Sequence, residues 1–155
     1  QELKQEHKET EGNVEVKGKV KARMREMANR RMLTAVPKAD LVVMNPTHYA
    51  VALKYDEAKM NAPRVVAKGR GIIAQRIRDI AQEHGVPLLE APLLARALYT
   101  HTELDDVIPS ALYRAVAEVM AYVYQLNAYL ARGGKAPAMP ADLPVPTDLD
   151  PGVSA

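Results

Sequence analysis

The sequence predicts an α/β domain, a small mixed sheet of about four strands surrounded by helices. Three observations point there. Short runs rich in Val, Leu and Tyr recur at residues 41–44, 49–55, 64–67 and 86–90, separated by turn signals. Between and after the later runs lie segments whose apolar residues follow helical spacing. With 155 residues, 48% of them hydrophobic, the chain suits one domain with tails.

Taken in order, residues 1–12 are charged and nearly free of apolar side chains, which reads as solvated linker or a frayed helix. From Val16 the pattern is helical, with Val16, Val20, Met24, Met27 and Ala28 recurring among many Lys and Arg. Such a basic amphipathic helix is either a solvated charged face over a docking stripe or a surface drawn to anionic lipid, where each basic residue contributes about 1 kcal/mol. Nucleic-acid binding is a third reading, and the net charge of +2 gives it no support. Pro37 ends this element, so residues 1–36 form the linker and basic helix, 37–132 the domain and 133–155 a Pro-rich tail.

The run 41–44 is the first strand and 49–55 the second, with Tyr49, Val51, Leu53 and Tyr55 on one face. Residues 64–67 form a third strand, and Lys68-Gly69-Arg70-Gly71 turns from it into a helix. Those glycines match neither the Walker nor the dinucleotide pattern, so a strand-to-helix turn is the reading. Residues 71–84 are amphipathic, with Ile73, Ile77, Ile80 and Ala81 on one face, and Gly85 fits a C-terminal cap. A fourth strand follows at 86–90, then a short helix opened by Pro92 and reaching about Thr100. Pro109 and Ser110 open the last helix, with Leu112, Val116, Val119, Met120, Val123 and Leu126 as its apolar positions. Gly133-Gly134 ends it, and residues 135–155, with five prolines and few core formers, are expected to be disordered.

Composition excludes some chemistry. There are no cysteines, so disulfides and thiolate metal sites are absent. His48, His84 and His101 lack metal-ligand spacing, and nothing around Ser110 resembles a nucleophile elbow. Tyr122, Tyr124 and Tyr129 read as packing and rim residues. No cofactor is indicated. No apolar run reaches the roughly 18 residues of a membrane span. The chain begins at Gln1 without a methionine, as a fragment would.

The chemistry sits at Asn45-Pro46-Thr47-His48, between the first two strands. An Asn and its neighbouring backbone can close a five-membered imide in two ways. Attack by the following backbone nitrogen on the side chain is closed here, because proline has no N–H. The reverse remains: the Asn45 side-chain nitrogen attacks its own backbone carbonyl and expels the Pro46 nitrogen. An amide is a weak nucleophile, so the fold must orient it, a contribution of about 7–11 kcal/mol where geometry is held. The leaving nitrogen needs a proton, and His48, Thr47 or water can supply it. An ordinary turn that never breaks is the plainer alternative for any Asn-Pro pair.

Asn45-Pro46-Thr47-His48, continued by Tyr49-Ala50-Val51-Ala52-Leu53-Lys54-Tyr55, resembles the signature of the FlhB/YscU family, the export-switch proteins of type III secretion systems. The likeness continues through Val65-Val66-Ala67-Lys68-Gly69, Ile77-Arg78-Asp79-Ile80-Ala81, the stretch from Glu90 to Tyr99, Ile108-Pro109 and the stretch from Leu112 to Val119. It is closer to the flagellar branch than to the virulence-injectisome branch.

The resemblance implies self-cleavage between Asn45 and Pro46, occurring once rather than as enzymatic turnover. It implies a switch of export from rod and hook substrates to filament substrates. It also implies a place at the cytoplasmic face of the bacterial inner membrane, behind a transmembrane part. The partners it implies are rod- and hook-class substrates, a hook-length control protein, other export-gate membrane proteins and the export ATPase complex. A shallow apolar patch for early substrates maps onto Ala62, Pro63, Ala117 and Met120, with Met120 replacing the more usual Leu; Met120 as plain core is the alternative. Two other classes remain open: a non-cleaving adaptor, and a small nucleotide-dependent enzyme using the Gly69/Gly71 turn.

Overall fold

The structure, a computed structural model, describes residues 2–46, 48–59 and 61–149, with side chains from residue 11 onward. The chain separates into two units, residues 1–34 and 35–155. The first is a single helix, α1 (Glu2–Leu33). The charged start is therefore continuous with the basic helix rather than a separate linker. Its Glu, Lys and Gln are good helix formers, and no proline intervenes before Pro37. The apolar residues Val16, Val20, Met24 and Met27 are all exposed. A 3₁₀ turn at Val36–Lys38, with fully buried Val36, already belongs to the second unit, slightly earlier than the boundary at 36/37.

The second unit is built on a four-stranded mixed sheet: β1 (Leu41–Asn45), β2 (Tyr49–Lys54), β3 (Arg64–Arg70) and β4 (Leu88–Glu90). Their order across the sheet is β3-β2-β1-β4, with β4 parallel to β1 and the other pairs antiparallel. β1 and β2 are thus inner strands, and Leu41, Val42, Val43 and the run 50–53 are fully buried. Inner strands covered on both faces read as continuous apolar runs, which is why these two were the plainest in the sequence.

The pleat sorts the two faces. Leu41, Val43, Val51, Leu53 and Val65 point into the core shared with α3 (Pro92–His101) and α4 (Tyr113–Arg132). The opposite face carries small residues such as Ala50, Ala52 and Ala67, and α2 (Ile72–Glu83) packs there. Its approach is close: a Cβ on Gly69 would fall against the Ile73 side chain. Lys68, Gly69 and Arg70 therefore extend β3 rather than forming a turn, and only Gly71, at φ 59°, separates strand from helix. Gly69 is covered by a side chain, so this glycine pair makes no open phosphate nest. Lys68, on the other face, donates to the carbonyls of Tyr99 and Thr102, both at 2.9 Å, at the end of α3.

α2 ends as expected at Gly85 (φ 71°). The Gly85 N–H donates to the Gln82 carbonyl and the Val86 N–H to that of Ala81, the paired bonds of a Schellman cap. The fourth strand is shorter than the apolar run, because Val86 and Pro87 are used by this cap and the entry to β4. A 3₁₀ turn at Ser110–Leu112 leads into α4, which stops at Gly133. The tail corrects the expectation of disorder over part of its length: Leu143, Val145 and Leu149 pack against the core. Its apolar residues are few, yet short local turns, with the Val145 N–H on the Leu143 carbonyl and a 3₁₀ turn at Thr147–Leu149, bring all three against the core.

Candidate functional site

The turn between β1 and β2 is positioned by both strands. Asn45 and Tyr49 are the last pair of the β1–β2 ladder. The His48 N–H donates to the Asn45 carbonyl at 3.0 Å, and the Gly71 N–H donates to the His48 carbonyl at 3.2 Å. Pro46 is held as well, its carbonyl accepting from Arg78 of α2 at 2.8 Å. The Tyr49 ring rests on Tyr99 of α3, with centroids 4.7 Å apart. Asn45 and Pro46 are half-buried and His48 is exposed. Thr47 lies outside the described residues.

This arrangement bears on the chemistry directly. The Asn45 carbonyl belongs to the Asn45–Pro46 peptide bond, and its oxygen would take up negative charge if the side-chain nitrogen added to its carbon. A backbone donor already on that oxygen stabilises the developing charge, the principle of an oxyanion hole. Exposure of His48 would let its ring or water deliver the proton that a departing Pro46 nitrogen would need. A break after Asn45 would leave β1 clamped between β2 and β4 on a buried sheet, so the two pieces would stay together.

The second set of residues named from the sequence also converges. Ala62, Pro63, Ala117 and Met120 line one open cavity of about 310 Å3, completed chiefly by Tyr55, Tyr113 and Tyr124. Ala62 and Met120 are each 4% exposed, so Met120 is core and wall at once, whereas Ala117 is exposed. The Pro63 wall is fixed from below: its carbonyl accepts from the Ile108 N–H, and Val65 exchanges backbone bonds with Asp105 and Asp106. Tyr124 is at the rim, where desolvation pushes its phenol above the ordinary tyrosine value, with Asp40 and Glu57 adding to the effect.

Arg78 was not singled out as a site residue. The sequence held one hint, an arginine directly following buried Ile77 on the inner side of an amphipathic helix. Of the cavity's tyrosine rim only Tyr124 reads as a packing or rim residue in the sequence, because Tyr55 follows β2 while Tyr113 and Tyr124 stand on α4, far away along the chain.

Among the described residues no helix is long and apolar enough to cross a membrane. Residues 1–123 match the family described as "FlhB HrpN YscU SpaS Family". The chain is 58% identical over 150 residues to the flagellar biosynthetic protein FlhB of Salmonella typhimurium, covering 97% of this chain and 39% of that protein. It is 53% identical over 125 residues to the protein of the same name in Bacillus subtilis, covering 81% and 35%. Both figures mean that it spans well under half of these relatives. Its fold is similar to the crystal structure of the cytoplasmic domain of FlhB from Shewanella putrefaciens, with TM-score 0.75 and 47% identity over 79% of this chain and 95% of that one. A mutated EscU C-terminal domain is more distant, at TM-score 0.58 and 26% identity over 59% and 92%. A match over residues 1–123, joined to this identity and this fold, places the chain in the FlhB/HrpN/YscU/SpaS family.

Proposed function

We propose that this chain is the cytoplasmic part of a flagellar protein-export component that cuts itself once, between Asn45 and Pro46, by asparagine cyclisation. The observation that carries the reading is the Asn45 carbonyl, held in a tight turn between two buried strands with the His48 N–H on its oxygen. The cut frees the turn while the sheet keeps both pieces in place, and the apparatus then passes from rod and hook substrates to filament substrates. The cavity of Ala62, Pro63, Ala117 and Met120 receives an apolar segment of the early substrates. The hook-length control protein, neighbouring export-gate proteins and the export ATPase complex are its further partners. The exposed, basic α1 lies near anionic lipid at the cytoplasmic face of the inner membrane.

The flagellar reading is favoured over a virulence injectisome by the 58% and 53% identity to flagellar proteins, against 26% to EscU. The test is export in the source organism with Asn45→Ala in its own copy of the gene. Continued secretion of hook-class protein with loss of filament protein supports the switch. Normal filament assembly from an uncut chain contradicts it and leaves a static adaptor.

A further inference from the structure

We infer that Arg78 is a positioning residue for scission, fixing the leaving side of the Asn45–Pro46 bond while the sheet fixes the other. The inference rests on the self-cleavage reading. Asn45 is anchored by its pairing with Tyr49 and by the His48 N–H on its carbonyl. Those contacts leave the far side of the bond, the pyrrolidine of Pro46, to be held by something else. The ring sets φ of Pro46, and the Asn45–His48 turn bond restricts ψ without holding the Pro46 carbonyl itself. The Arg78 guanidinium, 2.8 Å from the Pro46 carbonyl, fixes the peptide plane that follows and hence ψ.

Arg78 is itself well placed to act as a fixed point. It stands on α2 beside fully buried Ile77. The helix is seated on β3 by the close approach of Ile73 to Gly69. At the helix start, the Gly71 N–H holds the His48 carbonyl at 3.2 Å, so α2 grips the turn at two places. A cavity lined by Pro46, His48, Gly71, Gln75 and Arg78 opens beside the bond, which gives water access to the departing nitrogen. Arginine stays charged at any pH used for the reaction.

The step balances without another reagent. A bond forms between Asn45 Nδ2 and the Asn45 carbonyl carbon, and the bond from that carbon to the Pro46 nitrogen breaks. One proton leaves Nδ2, and the Pro46 nitrogen gains one through His48 or water. The products are a C-terminal succinimide on Asn45 and a free secondary amine at Pro46. Arg78 moves no proton in this sequence; it keeps the carbonyl carbon and the leaving nitrogen in the orientation the attack requires.

The test uses the whole chain, trapped uncleaved by denaturation, refolded, and followed by denaturing mass spectrometry. Loss of a charge-assisted hydrogen bond predicts that Arg78→Ala and Arg78→Met cut about 10- to 100-fold more slowly. Arg78→Lys, which keeps the charge, falls between them and the parent. Arg76→Ala, on the exposed side of the same helix, cuts at the parent rate. Added guanidinium ion, far below unfolding concentrations and against matched sodium chloride, restores speed to Arg78→Ala but not to Asn45→Ala. A purely structural role for Arg78 would give slow cutting without that rescue, and this result overturns the inference. So does a parent rate in Arg78→Ala. A parent chain that never cuts overturns the self-cleavage reading as well, so the two failures are distinguishable.

Discussion

The backbone N–H of His48 lies 3.0 Å from the carbonyl oxygen of Asn45, the oxygen that asparagine cyclisation would charge. The donor is contributed by the main chain three residues on, so it persists with any residue but proline at 48. The reacting atom comes from Asn45 alone. Residues of the turn therefore differ sharply in what their loss should cost.

Asn45→Ala removes the attacking nitrogen and should abolish scission. Pro46→Ala should slow it, because an ordinary secondary amide prefers the trans plane more strongly than an X–Pro bond does. It also opens the competing deamidation route. Denaturing mass spectrometry of the refolded variants measures both effects, and a normally cut Asn45→Ala chain would rule out cyclisation.

His48→Ala keeps the N–H but loses the imidazole. Positioned proton transfer contributes about 10²–10⁴-fold, and water at this exposed turn replaces part of it. The variant should cut no more than about 10²-fold more slowly, and faster as pH rises, because hydroxide assists loss of the amide proton. Half-lives from neutral to alkaline pH measure this. A rate equal to the parent throughout would make the His48 ring structural only.

Much of the fold was legible in the sequence, and the exceptions have physical reasons. Buried on both faces, β1 and β2 carry unbroken apolar runs, and Gly85 announces the cap of α2. The extension of β3 through Lys68, Gly69 and Arg70 was hidden. Its glycine answers to Ile73 of α2 rather than to a turn, and Lys68 spends its charge on the end of α3. The grip of Arg78 on Pro46 joins residues 32 apart, and no local pattern encodes such a contact. Ala62 and Ala117 were named through family resemblance, since alanines carry no chemistry of their own; only the fold shows them sharing a cavity.

The cavity gives a cleaner probe than its two buried members. A carboxylate at Ala62 or Met120 would be forced into the core and would threaten folding. Ala117 lines the cavity from an exposed position. Ala117→Asp should weaken binding of a hook-class substrate about tenfold or more by placing a charge against an apolar segment, with scission unchanged. Unchanged affinity in a titration would remove the cavity from the substrate path.

Gly69→Ala tests the seating of α2. The new methyl meets the Ile73 side chain, and the Ala74 backbone nitrogen is 3.3 Å from the same point. Overpacking of this kind costs about 1–3 kcal/mol. Chemical denaturation in an Asn45→Ala background, where the chain stays whole, measures it; equal stability would mean that α2 shifts freely on the sheet.

The claim that the chain cuts itself and stays assembled rests on β1 being an inner strand that ends at the scissile bond. Mass spectrometry of a single purified sample, run first under native and then under denaturing conditions, tests it most directly. The account predicts one particle of full mass in the first spectrum and two chains in the second, the larger beginning at Pro46. A single intact chain under denaturing conditions, after long incubation at neutral pH, would contradict it.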